Sequence, residues 1–368
     1  MKKSDVYFIR RSTAGNGPMM GRLKKLLKKM NLSGIIKENY LVALKTHFGE
    51  PGLTTFLRPV FVRPFADEIK KLRAHPFLTD ANTLYMGGRT NAVTHLETAL
   101  KNGFNFLSTG APVIIADGID GNDYEEVTVD CDYFDKVRIA GEAHRANSMI
   151  VLTHFTGHES FGFGGALKNI GMGLAAKKGK VRLHSASKLF IKKKACRKCG
   201  ICLDWCQFTA IRMISSGAVI DEKKCTGCGH CISACSRHAI KLRWDMSIPE
   251  MQKKTAEYAL GAVKSKNGRV RYFNFIMDVT PECDCYGHSD SPIVPDLGIL
   301  ASDDPVAVDQ ASYDLVNNSV SIKGSRAEKS IPGEDKFRQC YPMTDPEILL
   351  EYAEKIGLGR RKYRLIDF

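Results

Sequence analysis

The sequence predicts an α/β protein, with a mainly parallel sheet flanked by helices and a cysteine-rich insert in the middle. Three observations predict it. Short apolar runs alternate with amphipathic stretches along most of the chain, the pattern of strand and crossover-helix units. Polar residues collect just past several apolar runs, as they do where parallel strands end on one edge. Eight of the twelve cysteines fall into two runs of identical spacing.

Taken in order, strands are expected at Val6–Ile9, Leu41–Lys45, Pro76–Thr79, Pro112–Ala116, Tyr124–Val129, Val137–Ala140 and Met149–Thr153. Two more follow the cysteines, at Val270–Asp278 and Leu297–Ala301. Each is a short apolar run bounded by turn residues. Helical spacing is expected over Met20–Met30, Val60–Leu72, Ala92–Asn102 and Gly141–Asn147, then over Pro249–Lys264, Pro305–Val316 and Pro346–Ile356. The domain reading is therefore an α/β domain in two parts, residues 1–183 and 245–368, split by an insert over residues 184–244.

Composition narrows the class. Hydrophobic residues are 43% and charged residues 26%, ordinary for a soluble globular chain. No apolar run approaches the roughly 20 residues of a membrane span, so no membrane insertion is expected. The N-terminal "MKKSDVYFIRRS" has an apolar centre of only Val6 to Ile9. That is too short for a signal peptide, and a cytoplasmic location is expected. The formal net charge is +14, with basic residues gathered at Arg22, Lys24, Lys25, Lys28 and Lys29 and again at Lys188 and Lys192 to Lys194. Such faces suit an acidic redox partner protein, or are simply solvated. No aromatic residues interleave them, so nucleic acid is not expected as a partner. Twelve cysteines in a cytoplasmic chain argue for metal, not disulfides.

The two runs are "CRKCGICLDWCQFTAI" from Cys196 and "CTGCGHCISACSRHAI" from Cys225. Both read C-x2-C-x2-C-x3-C and end in Ala-Ile, an internal duplication. Three cysteines on a tight loop reach three corners of a cubane, and the fourth starts a helix that points to a second cluster. Zinc is the competing ion for thiolate sets, and two identical four-cysteine runs argue against it. The region over about residues 190–244 resembles the bacterial two-cluster ferredoxin. The resemblance implies one 4Fe–4S cluster on Cys196, Cys199, Cys202 and Cys235, and another on Cys225, Cys228, Cys231 and Cys206. Gln207 and Ser236 stand where such ferredoxins carry proline. Two adjacent clusters make a wire, and the α/β domain must supply one end of it.

The strand ends carry chemistry. Leu41–Lys45 runs into His47 and Glu50, Pro76–Thr79 into Asp80 and Asn82, and Pro112–Ala116 into Asp117 and Asp120. Met149–Thr153 runs into His154 and His158, and Val270–Asp278 ends on Asp278 before "TPECDC". Each alone reads as a turn residue; together they suggest a shared cleft. The quoted strand ends lie within longer stretches: "KTHFGEPG", "FLTDANTLYMGGRTNAVTHLETALKNGF", "HFTGHESFGFGGALKNIGMG" and "DVTPECDCYGHSDSPIVPDLGILASDDPVAVDQASYDLV". With the cysteine runs, these resemble the domain of unknown function 362 family, in its subgroup of iron–sulphur centre proteins, over nearly the whole chain.

The stretch "HFTGHESFGFGGALKNIGMG" has two readings. It lacks the Ser or Thr after Lys168 that a P-loop needs. Gly162, Gly164 and Gly165, with Asn169, would still suit a cofactor's anionic group at a helix start. His47, His154 and His158 would then supply protons, with Lys168 and Asp278 completing the site. The other reading is that the glycines pack a helix closely on the sheet. Cys131, Cys283, Cys285 and Cys340 lie outside the two runs. Cys283 and Cys285 share a turn with His288 and are candidate ligands for an additional metal with help from distant residues, or a half-buried thiol pair. The functional expectation is an oxidoreductase whose clusters relay electrons to a small-molecule substrate in this cleft. The alternative is an electron-carrier or metal-maturation protein acting on a client.

Overall fold

The computed structural model describes residues 3–12, 17–85, 87–184, 189–206, 208–225, 231, 235, 237, 239–242 and 248–368. Its main sheet has eight strands: β1 (Ser4–Arg10), β2 (Leu41–Lys45), β3 (His75–Asp80), β4 (Val113–Ile115), β5 (Ser148–His154), β6 (Val270–Ile276), β7 (Gly298–Ser302) and β8 (Tyr363–Asp367). Their order is β8-β1-β7-β6-β5-β2-β3-β4. Only β7 runs against the others, pairing antiparallel with both β1 and β6. The α/β expectation of a mainly parallel sheet holds.

The central strand β5, "SMIVLTH", is buried along its whole length. A strand covered on both faces must read as a continuous apolar run. Its side chains alternate between two cores. Met149 and Val151 join Ala43, Phe77 and Tyr272 on one face, and Ile150 and Leu152 join Val42, Leu78 and Phe273 on the other. Helices α1 (Met19–Lys29), α2 (Arg63–Lys71) and α3 (Ala92–Lys101) cover the second face. Helices α4 (Ala166–Leu174), α6 (Ile248–Lys264), α7 (Pro305–Asn317) and α8 (Glu347–Lys355) cover the first, with α5 (Lys177–Leu183) between α4 and the cysteine segment. α4 and α6 touch so closely that a Cβ on Gly171 would lie 2.3 Å from the Thr255 carbonyl oxygen.

Two expected strands fall elsewhere. Tyr124–Thr128 and Lys136–Ala140 form a separate hairpin. The chain leaves the α/β layers after α5 and returns at α6. Between them, Leu189–Ile191 pairs with Ile240–Leu242, and Ile211–Ile214 with Gly217–Ile220. Leu84 and Val181 share one apolar cluster with Leu189, Ile211, Ala218 and Ile240. That cluster seats the cysteine segment against α5 and the loop after β3. Among the described residues, no helix is long and apolar enough to cross a membrane.

The sheet order places a topological switch between β2 and β5. From β2 the chain winds outward through β3 to β4, and from β5 it winds the other way to β6. In open parallel sheets the crevice at the carboxyl ends of such a strand pair is where ligands bind.

Candidate functional site

β2 ends on Lys45, and Gly49 turns the chain with φ +74°. The turn lets the Gly49 N–H donate to His47 Nδ1 at 3.0 Å. The His47 proton therefore sits on Nε2, which lies 3.6 Å from Cys285 Sγ. Beyond β6 the loop turns at Asp278, with φ +50°. It then lies against Gly157, where a Cβ would stand 2.3 Å from the Pro281 carbonyl oxygen. Only glycine admits that approach.

His154 holds this loop. Its Nδ1 lies 2.9 Å from Asp284, and its Nε2 donates to the Met277 carbonyl at 2.7 Å. Burial disfavours its charge, but Asp284 and the Met277 carbonyl outweigh burial and raise its pKa. Both nitrogens face acceptors, so neither is turned to a substrate. The sequence suggested a proton donor; the geometry gives a clamp. What it clamps is Cys283 and Cys285, on either side of Asp284.

Cys283 and Cys285 have their Sγ atoms 3.0 Å apart, and Lys168 Nζ lies 3.5 Å from Cys283 Sγ. The Cys283 hydrogen bond, then Lys168 and His47, holds the Cys285 thiol well below its usual range despite burial. The same hydrogen bond, followed by burial, pushes Cys283 up. Burial would strip the Lys168 proton, but Cys283, Cys285 and Glu159 raise its pKa and keep it an ammonium. His158 lies within electrostatic range of Lys168. It is buried with its ring edge to Phe161 at 5.1 Å, and its Nδ1 accepts from the Ser160 N–H at 3.0 Å. Burial and then Lys168 hold it neutral. Asp278 pairs with Arg58 at the rim. The structure thus brings His47, Lys168, Cys283 and Cys285 together, with His154 behind them, His158 beside them and Asp278 outside.

A buried charge network backs this group. Lys45 Nζ lies 3.0 Å from Asp80 and donates to Asn169 Oδ1 at 2.6 Å. Asn169 in turn donates to Thr153 Oγ1 and the Leu152 carbonyl, which ties β2 to β5 across the switch. Arg89 bridges Glu50 at 2.9 Å and Asp80 at 3.1 Å and also donates to the Tyr85 hydroxyl. The Cys285 charge acts on both Tyr85 and Arg89. Burial favours protonation of Asp80, but Lys45, His47, Arg89 and His95 overcome it and depress its pKa. Lys45, Tyr85, Arg89 and Asp284 were not singled out from sequence. The glycine pair before Arg89 was the available signal: a Cβ on Gly88 would meet Thr98 Oγ1 at 2.4 Å.

The helix start after the glycines is already filled. The Ala166 and Leu167 N–H groups donate to the two Asp309 carboxylate oxygens at 2.7 and 2.9 Å. A Cβ on Gly165 would lie 2.5 Å from Asp309, and one on Gly162, where φ is +76°, 2.3 Å from Pro346. A Cβ on Gly164 would lie 3.4 Å from Thr156 Oγ1. The packing reading therefore accounts for Gly162 and Gly165, and the anion at α4 is the protein's own. Burial pushes the Asp309 carboxyl up to about 6, with Asn274, Leu167 and Ala166 holding it from rising further. Its folded pKa exceeds its unfolded value, so the stability linked to it is full below about pH 4 and lost as pH rises through about 6. Asp309→Asn removes this titration. Wild type is expected to gain roughly 1 kcal/mol over that variant between about pH 7.5 and pH 5. Denaturant unfolding of both proteins at the two pH values checks it.

The cysteine segment contains two cavities. One is lined by Cys196, Cys199, Cys202 and Cys235 with Ile191, Met213 and Ile240. The other is lined by Cys206, Cys225 and Cys231 with Trp205, Phe208 and Ile211. Cys228, Gln207 and Ser236 lie outside the described residues. The repeated Ala-Ile has a local cause. The Ala210 N–H donates to Cys206 Sγ at 3.2 Å and the Ala239 N–H to Cys235 Sγ at 3.3 Å. Each isoleucine then lines the cavity of that thiol. Among the described residues, no three His, Cys, Asp or Glu side chains converge to hold a single metal ion.

A family described as Domain of unknown function (DUF362) matches residues 42–314. No curated protein matches the chain. Among solved structures it is similar to the lactate racemase apoprotein from Thermoanaerobacterium thermosaccharolyticum, at 14% identity and a TM-score of 0.36, over 75% of this chain and 51% of that one. It is also similar to a protein from Thermotoga maritima, at 12% identity and a TM-score of 0.37, over 92% of this chain and 58% of that one. The chain thus spans a little over half the length of each.

Proposed function

The chain belongs to the domain of unknown function 362 family, and on that footing we propose that it is an iron–sulphur oxidoreductase. Residues 184–244 would be a ferredoxin-like insert holding two 4Fe–4S clusters. Cys196, Cys199, Cys202 and Cys235 would hold one, and Cys225, Cys228, Cys231 and Cys206 the other. The observation that supports this reading is the sorting of the thiols. Cys235 lines the cavity of the first run, and Cys206 that of the second.

Clusters of this kind exchange single electrons. The chain's own residues would do the rest. The Ala210 and Ala239 N–H groups donate to the Cys206 and Cys235 sulphurs. Leu84, packed in the insert's apolar cluster, immediately precedes Tyr85, whose hydroxyl meets Arg89 beside Cys285. The insert would then be seated on the cleft side of the α/β domain. In the cleft, Lys168 supplies a fixed positive charge and His47 holds a proton at Nε2. These groups suit a small substrate that accepts electrons and then protons.

A second reading has its own observation. Cys199 is exposed, flanked by exposed Arg197 and Lys198. That edge suits an acidic redox partner, as a carrier or maturation protein would need. Electron delivery to such a partner that is unchanged in Lys168→Met would favour the carrier. Anaerobically isolated protein is expected to carry about eight irons and eight sulphides per chain. Metal and sulphide analysis tests this, and stoichiometric zinc without sulphide would sink it.

A further inference from the structure

We propose that Cys283 and Cys285 are a dithiol that reduces a low-molecular-weight disulfide, with Cys285 as the attacking thiolate and Cys283 as the resolving thiol. The inference rests on the cleft of the proposed oxidoreductase but not on its clusters.

Four features of the geometry carry it. The two sulphurs are already 3.0 Å apart, so closing to the roughly 2.05 Å of a disulfide needs only small side-chain rotations. They differ in access: Cys283 is buried, whereas Cys285 is partly open and followed by exposed Tyr286, Gly287 and His288. They differ in surroundings as well. Cys285 faces the His47 Nε2–H, Cys283 faces the Lys168 ammonium, and Arg89 lies within electrostatic range of Cys285. Thiolates form in such electropositive, partly exposed places. Finally, the loop is held by the His154 contacts to Asp284 and Met277, so the two thiols keep their relative position during reaction. The same surroundings disfavour a metal at the pair. Its near neighbours Lys168 and Arg89 are cations.

The step balances without another reagent. The Cys285 thiolate attacks one sulphur of RS–SR. A Cys285–SR bond forms, the RS–SR bond breaks, and the first RS⁻ leaves, steadied by Lys168. Cys283 then attacks Cys285 Sγ, which breaks the Cys285–SR bond. The second RS⁻ departs with the Cys283 proton as RSH. The pair ends oxidised by two electrons as a Cys283–Cys285 disulfide, and the substrate disulfide ends reduced to RS⁻ and RSH.

The test treats anaerobically isolated full-length protein with glutathione disulfide, blocks remaining thiols with iodoacetamide, and reads the peptide spanning both cysteines by mass spectrometry. Wild type should show both thiols blocked to alkylation and carrying no glutathione. Cys283→Ser should trap glutathione on Cys285. Cys285→Ser should leave Cys283 at least about tenfold slower to react, since thiolate character and access set the rate. Lys168→Gln keeps both thiols and should slow wild-type closure about tenfold. Four outcomes overturn the proposal: no reaction at either position in wild type, equal capture at Cys283 and Cys285 in the two serine variants, closure unaffected by Lys168→Gln, or a stoichiometric metal lost only when the pair is changed. The readout is specific to one peptide, so iron loss elsewhere does not mimic any of them.

Discussion

Cys206→Ser is expected to halve the iron content, from about eight to about four per chain, by removing the cluster of the other run. The reason is spatial. Cys206 lies four residues after Cys202, yet the two line different cavities. Cys206 shares its cavity with Cys225 and Cys231, and its sulphur accepts the Ala210 N–H. Serine at this position offers no soft thiolate to iron. Alkylation followed by mass spectrometry gives the sharper readout. In Cys206→Ser, Cys225, Cys228 and Cys231 should become reactive while Cys196, Cys199, Cys202 and Cys235 stay protected. Cys235→Ser should give the mirror pattern. If Cys206→Ser instead exposes Cys196, Cys199 and Cys202, each run holds its own cluster and the crossed assignment is wrong.

The sorting of Cys206 and Cys235 between the two pockets follows local spacing. The same holds for β2, which occupies the expected Leu41–Lys45, and for β5, where an unbroken apolar run reports burial on both faces. The strand β8 was not read. It is an edge strand, "YRLID", half exposed and interrupted by charge, so its apolar signal is weak. The hairpin strands at 124–128 and 136–140 were read as strands, but nothing in their composition says that they lie outside the main sheet. The cleft was legible in part for a related reason. A polar residue after an apolar run marks a strand end. It does not say what that residue meets. His154 reads as a catalytic histidine until Met277 and Asp284, far away in sequence, take its two nitrogens. His47 meets Cys285 only because the sheet places β5 between β2 and β6. Arg89 lies in a glycine turn with no periodic pattern, so its burial is invisible until the turn is folded.

Arg89→Met should be the most destabilising single change in the cleft, at about 3–5 kcal/mol. Arg89 is 2% exposed. Its guanidinium is matched to two carboxylates and a hydroxyl. A methionine fills similar space but leaves Glu50 and Asp80 buried without that charge. Asp80 keeps Lys45 and the weaker contact with His95, so part of the pairing survives. Glu50 keeps only the Gly88 N–H at 2.9 Å among the contacts of its second oxygen. Arg89→Lys should lose less, because one ammonium can serve one carboxylate but cannot bridge both. The pH dependence separates charge loss from packing loss. In wild type the folded Asp80 pKa is depressed, so its contribution is present above the unfolded value near 4 and changes little between about pH 5 and 7. In Arg89→Met, Asp80 loses one of the cations that depress it and can take a proton more easily. The deficit of the variant should therefore shrink as pH falls toward 5. Denaturant unfolding across that range measures it. A deficit that stays constant with pH would mean that Arg89 acts by filling space, and a deficit under about 1 kcal/mol would mean that the buried network is not held by its charges.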